Sequence, residues 1–335
     1  MRVPTGALLL ALTGACAHAP TSSDASVETG RTPEAPPAAE EVSAGETVSP
    51  IIAMTPAPSK AEPVPELPFM DAPAAPMPGW RESRLAEVRM GQGRFAEALA
   101  LYTQAMVSGD TNALTAYGAA RALARMGRKQ EALESLSRAV EWGFHHVKWM
   151  QWDHALASLR TEPAFTALLE RIPTLPWKDA PAHEELRRLV LEFEADFPPA
   201  PAPWEEQLAA RERGDQRCVR VKELAAAGGL KTGQDFYAAG RILFRCPSLE
   251  AVALAREVAA EAARRGHPNG LWLAVSAWDQ WLTMAQRPQR FGTVYRHDAS
   301  VERRVRYDVD PRVTDEERAR WGVLPLAESP LQLPR

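Results

Sequence analysis

The chain has 335 residues, with 39 Lys plus Arg against 43 Asp plus Glu and a net charge of −4. No segment is basic enough for a nucleic-acid binder, and no apolar run reaches the ~18–20 residues that span a bilayer. The composition is uneven: 14 of the 29 Pro precede residue 80, all ten Trp fall at residue 80 or later, and Phe69 is the only earlier aromatic. A segment that poor in large apolar groups cannot offset the entropy of ordering it. The N-terminal quarter is therefore expected to be disordered, with the folded mass at 80–335.

Residues 1–16 carry Arg2, an apolar stretch Ala7-Leu8-Leu9-Leu10-Ala11-Leu12, and small residues Thr13-Gly14-Ala15 before Cys16. A short apolar stretch behind one positive charge is an export signal, not a membrane span. Its end resembles the bacterial lipobox, which implies lipidation of Cys16 and an N-terminus held in a membrane by lipid alone. By the same resemblance, Ala17 after the Cys implies sorting to the outer membrane. An ordinary secreted protein, cut near Ala17-His18-Ala19, is the alternative. Residues 17–79 are rich in Pro, Ala, Glu and Ser, hold nine acids against two bases, and read as a tether. Export also bears on the remaining cysteines. Cys218 and Cys246 form an even pair in an oxidising compartment, where a disulfide is expected, two buried thiols being the alternative.

A self-similarity at an offset of 34 residues covers 79–112 and 113–146. Gly93, Phe95, Ala98, Tyr102 and Ala105 correspond to Gly127, Lys129, Ala132, Leu136 and Ala139. Each unit reads as a helix with small residues on one face, a Gly turn, and a second helix. The pattern resembles the tetratricopeptide repeat. Two units leave apolar ends exposed, so helices at 147–172 are expected to cap them. The resemblance implies a concave groove lined by the first helix of each pair, here Ser83, Glu87, Tyr117 and Arg121. Mixed charge with one aromatic suits a protein or peptide partner; a solvated face that binds nothing is the alternative.

A short helix is expected at about His183–Asp196, then a Pro-rich boundary at Pro198–Pro203. Ser248 is placed to cap a helix running to Arg265, and Leu271–Ala285 carries a buried stripe of Leu271, Val275, Trp278 and Leu282. Thr314-Asp315-Glu316-Glu317 reads as a capping box. Within 235–328, Arg287-Pro288-Gln289-Arg290-Phe291-Gly292-Thr293 and Gly322-Val323-Leu324-Pro325-Leu326-Ala327-Glu328 resemble a bacterial domain family of unknown function. The resemblance carries no mechanism with it.

The expected fold is all-α: tetratricopeptide-like hairpins (80–173), a connecting helix and linker (174–204) and a second helical domain (205–335). No nucleophile elbow, phosphate loop or HExxH spacing occurs. His145-His146 and Asp153-His154 could collect on one edge of the cap as a metal site, but they are read as exposed loop residues, so no metal or other cofactor is expected. Asp279, Gln289, Thr293 and Tyr295 form the best polar cluster, either a turn locked by side-chain hydrogen bonds or a ligand site. The expected function is an envelope-anchored binding or scaffold module that takes a protein or peptide partner. An exported enzyme acting around the Pro288–Thr293 turn is the alternative.

Overall fold

Small residues at the 34-residue spacing let helices approach closely, and two antiparallel hairpins result. The first pairs α1 (Trp80–Gly91) with α2 (Phe95–Val107), the second α3 (Ala113–Arg125) with α4 (Lys129–Glu141). Gly93 and Gly127 stand at φ 74° and 76° in the tight turns within the hairpins, a conformation that favours glycine. Gly118 on α3 lies against the Tyr102 ring, and a Cβ there would come within 2.4 Å of it. Tyr102 is thereby wedged between the two hairpins, as the spacing predicts. These features come from a computed structural model that describes residues 66–178, 180–196, 203–298, 303–330 and 332–333. The export signal, Cys16, the tether as far as residue 65 and most of the Pro198–Pro203 boundary lie outside the described residues.

The hairpins end where expected. Helix α5 (Val147–Trp152), a 3-10 turn (His154–Leu159) and α6 (Pro163–Arg171) follow them. Met150, Leu156, Leu159, Phe165 and Ile172 close over Leu133, Leu136 and Val140 in one apolar cluster. That burial covers the otherwise open end of the second repeat.

Beyond this cap, α7 (Glu184–Ala195), α8 (Trp204–Ala226), α9 (Gly233–Leu243), α10 (Leu249–Arg264) and α11 (Gly270–Met284) form a second helical block. The Ser248 hydroxyl accepts from Ala251 N–H at 3.1 Å and starts α10 as expected. Val252, Ala255, Ala259 and Ala262 of α10 are fully buried, as are Leu273, Ala274 and Val275 of α11. Gly270 permits the crossing of these two helices, because a Cβ there would sit 2.4 Å from the Ala263 backbone nitrogen. Helices α8 and α9 are absent from the sequence expectation, which names no helix between the Pro-rich boundary and Ser248. Helix α9 starts with a full capping box, Thr232 with Asp235. At Thr314 only half of the expected box forms: its hydroxyl accepts from Glu317 N–H at 3.2 Å and opens α12 (Asp315–Arg320).

Cys218 on α8 and Cys246 after α9 are joined, with Cα atoms 6.0 Å apart and 28 residues of separation. Closing such a loop restricts the unfolded chain. Reduction, or Cys218→Ala with Cys246→Ala, is expected to lower the unfolding free energy by about 3 kcal/mol. Urea unfolding with and without reductant reads this directly, and a difference below about 1 kcal/mol would contradict it.

Two features depart from the sequence expectation. A small antiparallel sheet adds to the all-α frame: β1 (Tyr295–Asp298) pairs with β2 (Arg303–Arg306), and β2 with β3 (Gln332–Leu333). The end of the expected tether is also ordered. Leu67, Met70, Ala72 and Ala74 pack on the core of α9–α11. Arg256, itself buried on α10, donates to the Pro68 carbonyl at 2.6 Å. Phe69 meets Trp278 edge-on with centroids 6.0 Å apart. Few large apolar residues suffice when a segment lies across an existing core, so composition alone put the boundary about a dozen residues too late. From Leu67 onward the described residues form one compact unit.

The repeats and the helical block touch directly. The Asn112 amide, at the N-cap of α3, donates to the Asn269 side chain at 3.1 Å, and the Arg84 guanidinium of α1 lies 3.9 Å from the Trp272 ring centroid. Arg81 and Glu328 pair at 2.5 Å.

Candidate functional site

The four groove residues belong to α1 and α3, the first helices of the two hairpins, as the repeat pattern requires. They do not stand free. The Ser83 hydroxyl donates to Asp110 Oδ2 at 2.5 Å and also meets the Thr115 hydroxyl at 3.1 Å. Thr115 donates to the same oxygen at 2.7 Å, while Asn112 N–H donates to Asp110 Oδ1 at 2.8 Å. Asp110 thus ties α1 to the start of α3.

Glu87, Tyr117 and Arg121 belong to a second network. Tyr102 donates its hydroxyl to Glu87 Oε1. Arg121 approaches Glu87 Oε2 at 3.5 Å through Nη1 and Asp153 Oδ2 at 2.8 Å through Nε. The Tyr117 hydroxyl also donates to Asp153 Oδ2, at 2.9 Å, and the Tyr117 ring stacks on Phe144 with centroids 4.4 Å apart. Asp153 in addition caps the 3-10 turn by accepting from Ala155 N–H at 2.8 Å. The series Tyr102–Glu87–Arg121–Asp153–Tyr117 therefore runs from α2 through α1 and α3 into the cap.

Burial sets the electrostatics here. It opposes the charge on Arg121, yet Asp153 and then Glu87 hold the guanidinium above its ordinary pKa. Burial, reinforced by Glu87, pushes the Tyr102 hydroxyl well up, and burial, reinforced by Asp153, does the same for Tyr117. Both phenols are donors at any ordinary pH. Arg84 is pulled down to about 10 by burial, against the pull of Glu87 and Asp110.

Only part of this network reaches solvent. The Tyr117 side chain is buried, whereas Arg121 and Glu87 keep 17% and 25% exposure. The four residues are thus paired within the fold, with Arg121 and Glu87 partly exposed, where the sequence reading expected them to be contact residues. Asp110, Asp153 and Tyr102 were missed as members. Tyr102 was legible as a repeat position, and Asp153 as a cap residue before His154-Ala155-Leu156.

The second cluster is spent on its own turn. Asp279 is fully buried on α11. It accepts from Arg290, Phe291 and Thr293 N–H at 2.7, 3.0 and 2.9 Å and from the Thr293 hydroxyl at 2.8 Å. Burial pushes its carboxyl up, while these donors draw it down. Gln289, also fully buried, accepts from Val294 N–H at 2.9 Å and donates to the Val294 and Tyr307 carbonyls at 3.1 and 2.8 Å. Tyr295 points elsewhere, its hydroxyl donating to the Pro330 carbonyl at 2.9 Å. Arg318 completes the turn by donating to the Phe291 and Arg290 carbonyls at 2.5 and 2.9 Å.

Two of the histidines read as exposed lie inside. His146 is buried, stacks on Trp149 with centroids 4.4 Å apart, and meets Phe144 edge-on. His145 lies 4.4 Å from Trp177 between ring centroids, and burial together with His146 pushes its pKa down to about 3. The turn after α4 directs both rings inward toward α7. His154 and Asp153 do not join them: His154 is exposed, and Asp153 serves Arg121 and Tyr117.

Residues 89–148 match a family model described as tetratricopeptide repeat. No curated protein and no solved structure gives a match. Among the described residues no helix is long and apolar enough to cross a membrane.

Proposed function

We propose that this chain is a lipid-anchored envelope protein that binds a protein or peptide partner on the inner face of its repeats. One observation carries the reading: residues 89–148 carry tetratricopeptide-like hairpins, an architecture that generally mediates protein–protein interaction. The partly exposed Glu87 and Arg121, on the first helices of the two pairs, would meet the partner. Groups already paired within the fold are fixed in place, so a partner would lose less entropy in ordering them. The buried acceptors at the Pro288–Thr293 turn are engaged by backbone and Arg318 donors, which favours a structural role for that turn over an enzyme site. The C-terminal block, similar to a bacterial family of unknown function, would then support the repeats. The apolar stretch before Cys16 supports the anchor, and the Pro-rich segment after it would let the folded part stand away from the bilayer.

The test is affinity capture from solubilised envelope with wild type, Glu87→Gln and Tyr295→Phe. Glu87→Gln keeps the shape and removes the charge. It is expected to lose at least one protein that the other two retain. Equal capture by all three, with folding intact by circular dichroism, would remove the groove from the reading. The anchor is tested separately. Palmitate should label wild type and not Cys16→Ser, and an unlabelled wild type would leave the protein unanchored.

A further inference from the structure

Three donor atoms from two distant segments converge between the repeat cap and α7: His145 Nε2, His146 Nδ1 and a carboxylate oxygen of Glu194, all within 4.8 Å of one another. His146 Nδ1 lies 3.1 Å from Glu194 Oε1, and His145 Nε2 lies 3.8 Å from Glu194 Oε2. Both ring nitrogens are buried, and their only polar neighbour across the gap is the Glu194 carboxylate, at ion-pair distance without well-formed hydrogen-bond geometry. The His146 side chain is only 3% exposed. Such an arrangement in the interior is costly unless a proton or a cation joins the groups.

The tautomer of His145 sharpens the point. Its Nδ1 faces the Gly143 carbonyl at 3.3 Å. A carbonyl only accepts, so Nδ1 carries the proton and Nε2 presents a lone pair toward Glu194. A ring that donates one N–H to a backbone carbonyl and offers the other nitrogen is arranged as metal-binding histidines are. Trp149 and Trp177 pack on the two rings and limit their rotation. Arg241 Nη1 stands 3.2 Å from Glu194 Oε1, the oxygen that also faces His146; it fixes the carboxylate, and its charge opposes a cation and should moderate affinity.

We propose that His145, His146 and Glu194 form a binding site for a divalent late first-row metal ion of the zinc class, with water in the remaining position. Two imidazoles and one carboxylate match the donor preference of such ions, not of calcium or magnesium. In a tetrahedral site with bonds of ~2.0–2.1 Å, neighbouring donors stand roughly 3.3 Å apart. His146 Nδ1 stands 3.1 Å from Glu194 Oε1, close to that length, whereas His145 Nε2 faces the other carboxylate oxygen at 3.8 Å, so the His145 ring has to move to complete the set. The Nδ1–H tautomer of His146 would face Glu194 with no added charge, and one extra proton on His145 would serve its Nε2. That proton would set an imidazolium against the His146 ring, 4.2 Å away between centroids, and near Arg241. One ion instead engages all three donors.

The experiment titrates the full chain with Zn2+ by calorimetry and with Co2+ by visible absorption. Wild type, His154→Ala and His297→Ala, which alter exposed histidines, should each take up one ion. His146→Ala and Glu194→Gln should weaken binding by more than the ~10–100-fold typical of losing an outer partner. In wild type, long-range nitrogen NMR should show zinc moving His145 Nε2 and His146 Nδ1, a readout that needs no variant to fold. The proposal is overturned if wild type takes up no ion, if His146→Ala and Glu194→Gln bind like wild type, or if those two nitrogens do not move.

Discussion

Asp279→Ala is expected to cost at least about 5 kcal/mol of unfolding free energy, enough to leave the C-terminal block unfolded at 37 °C. The carboxylate is fully buried and accepts from three backbone N–H groups and one hydroxyl. Truncation removes those bonds and also strands the donors in an interior with no water to replace the lost acceptor. Arg318 nearby would lose the carboxylate that helps to balance its buried charge. Asp279→Asn should cost somewhat less, because its amide oxygen still accepts while its NH2 faces donors. Urea unfolding by far-UV circular dichroism measures both. A loss below about 2 kcal/mol for the alanine variant would mean that the turn is held mainly by Phe291, Trp278 and Trp321, whose centroids lie 5.6–5.9 Å apart.

That turn also shows what the sequence could and could not convey. The spacing of Gly93, Ala98, Tyr102 and Ala105 with their partners 34 residues on was legible because close helix packing demands small residues at fixed intervals. Ser248 and the stripe on α11 were legible because capping and burial are local or periodic. The fate of polar residues was not, since a hydrogen-bond partner can come from anywhere in the chain. Tyr117 and Arg121 looked like contact residues until Asp153 came in from the cap. His145 and His146 looked exposed because they adjoin a Gly turn, and Glu194, nearly fifty residues on, makes them interior. The strap at 67–74 was misread for a related reason: composition measures whether a segment can form its own core, not whether it can lie across another. The short strands at 295–306 lack alternation of apolar and polar residues, so no periodic signal marked them.

Arg121 offers the sharpest test of how the repeats hold together. It sits between Glu87 and Asp153, which also accept from Tyr102 and Tyr117. Arg121→Met keeps much of the side-chain volume and removes the charge, leaving two carboxylates without their cation. It is expected to cost about 3–4 kcal/mol. Arg121→Glu places three carboxylates together and should cost about 4–5 kcal/mol, dismantling the repeat face and making that variant unsuitable for probing partner binding. The triple variant Glu87→Gln/Arg121→Met/Asp153→Asn removes every charge of the set. Since a buried ion network is often no more stable than a neutral replacement of similar shape, the triple variant should recover most of what Arg121→Met loses. Equilibrium unfolding of the three proteins distinguishes the possibilities. If Arg121→Met costs under about 1 kcal/mol, the network is solvated and its residues are free to meet a partner. If the triple variant is as unstable as Arg121→Met, the loss comes from misplaced hydrogen bonds to Tyr102 and Tyr117 and not from unpaired charge.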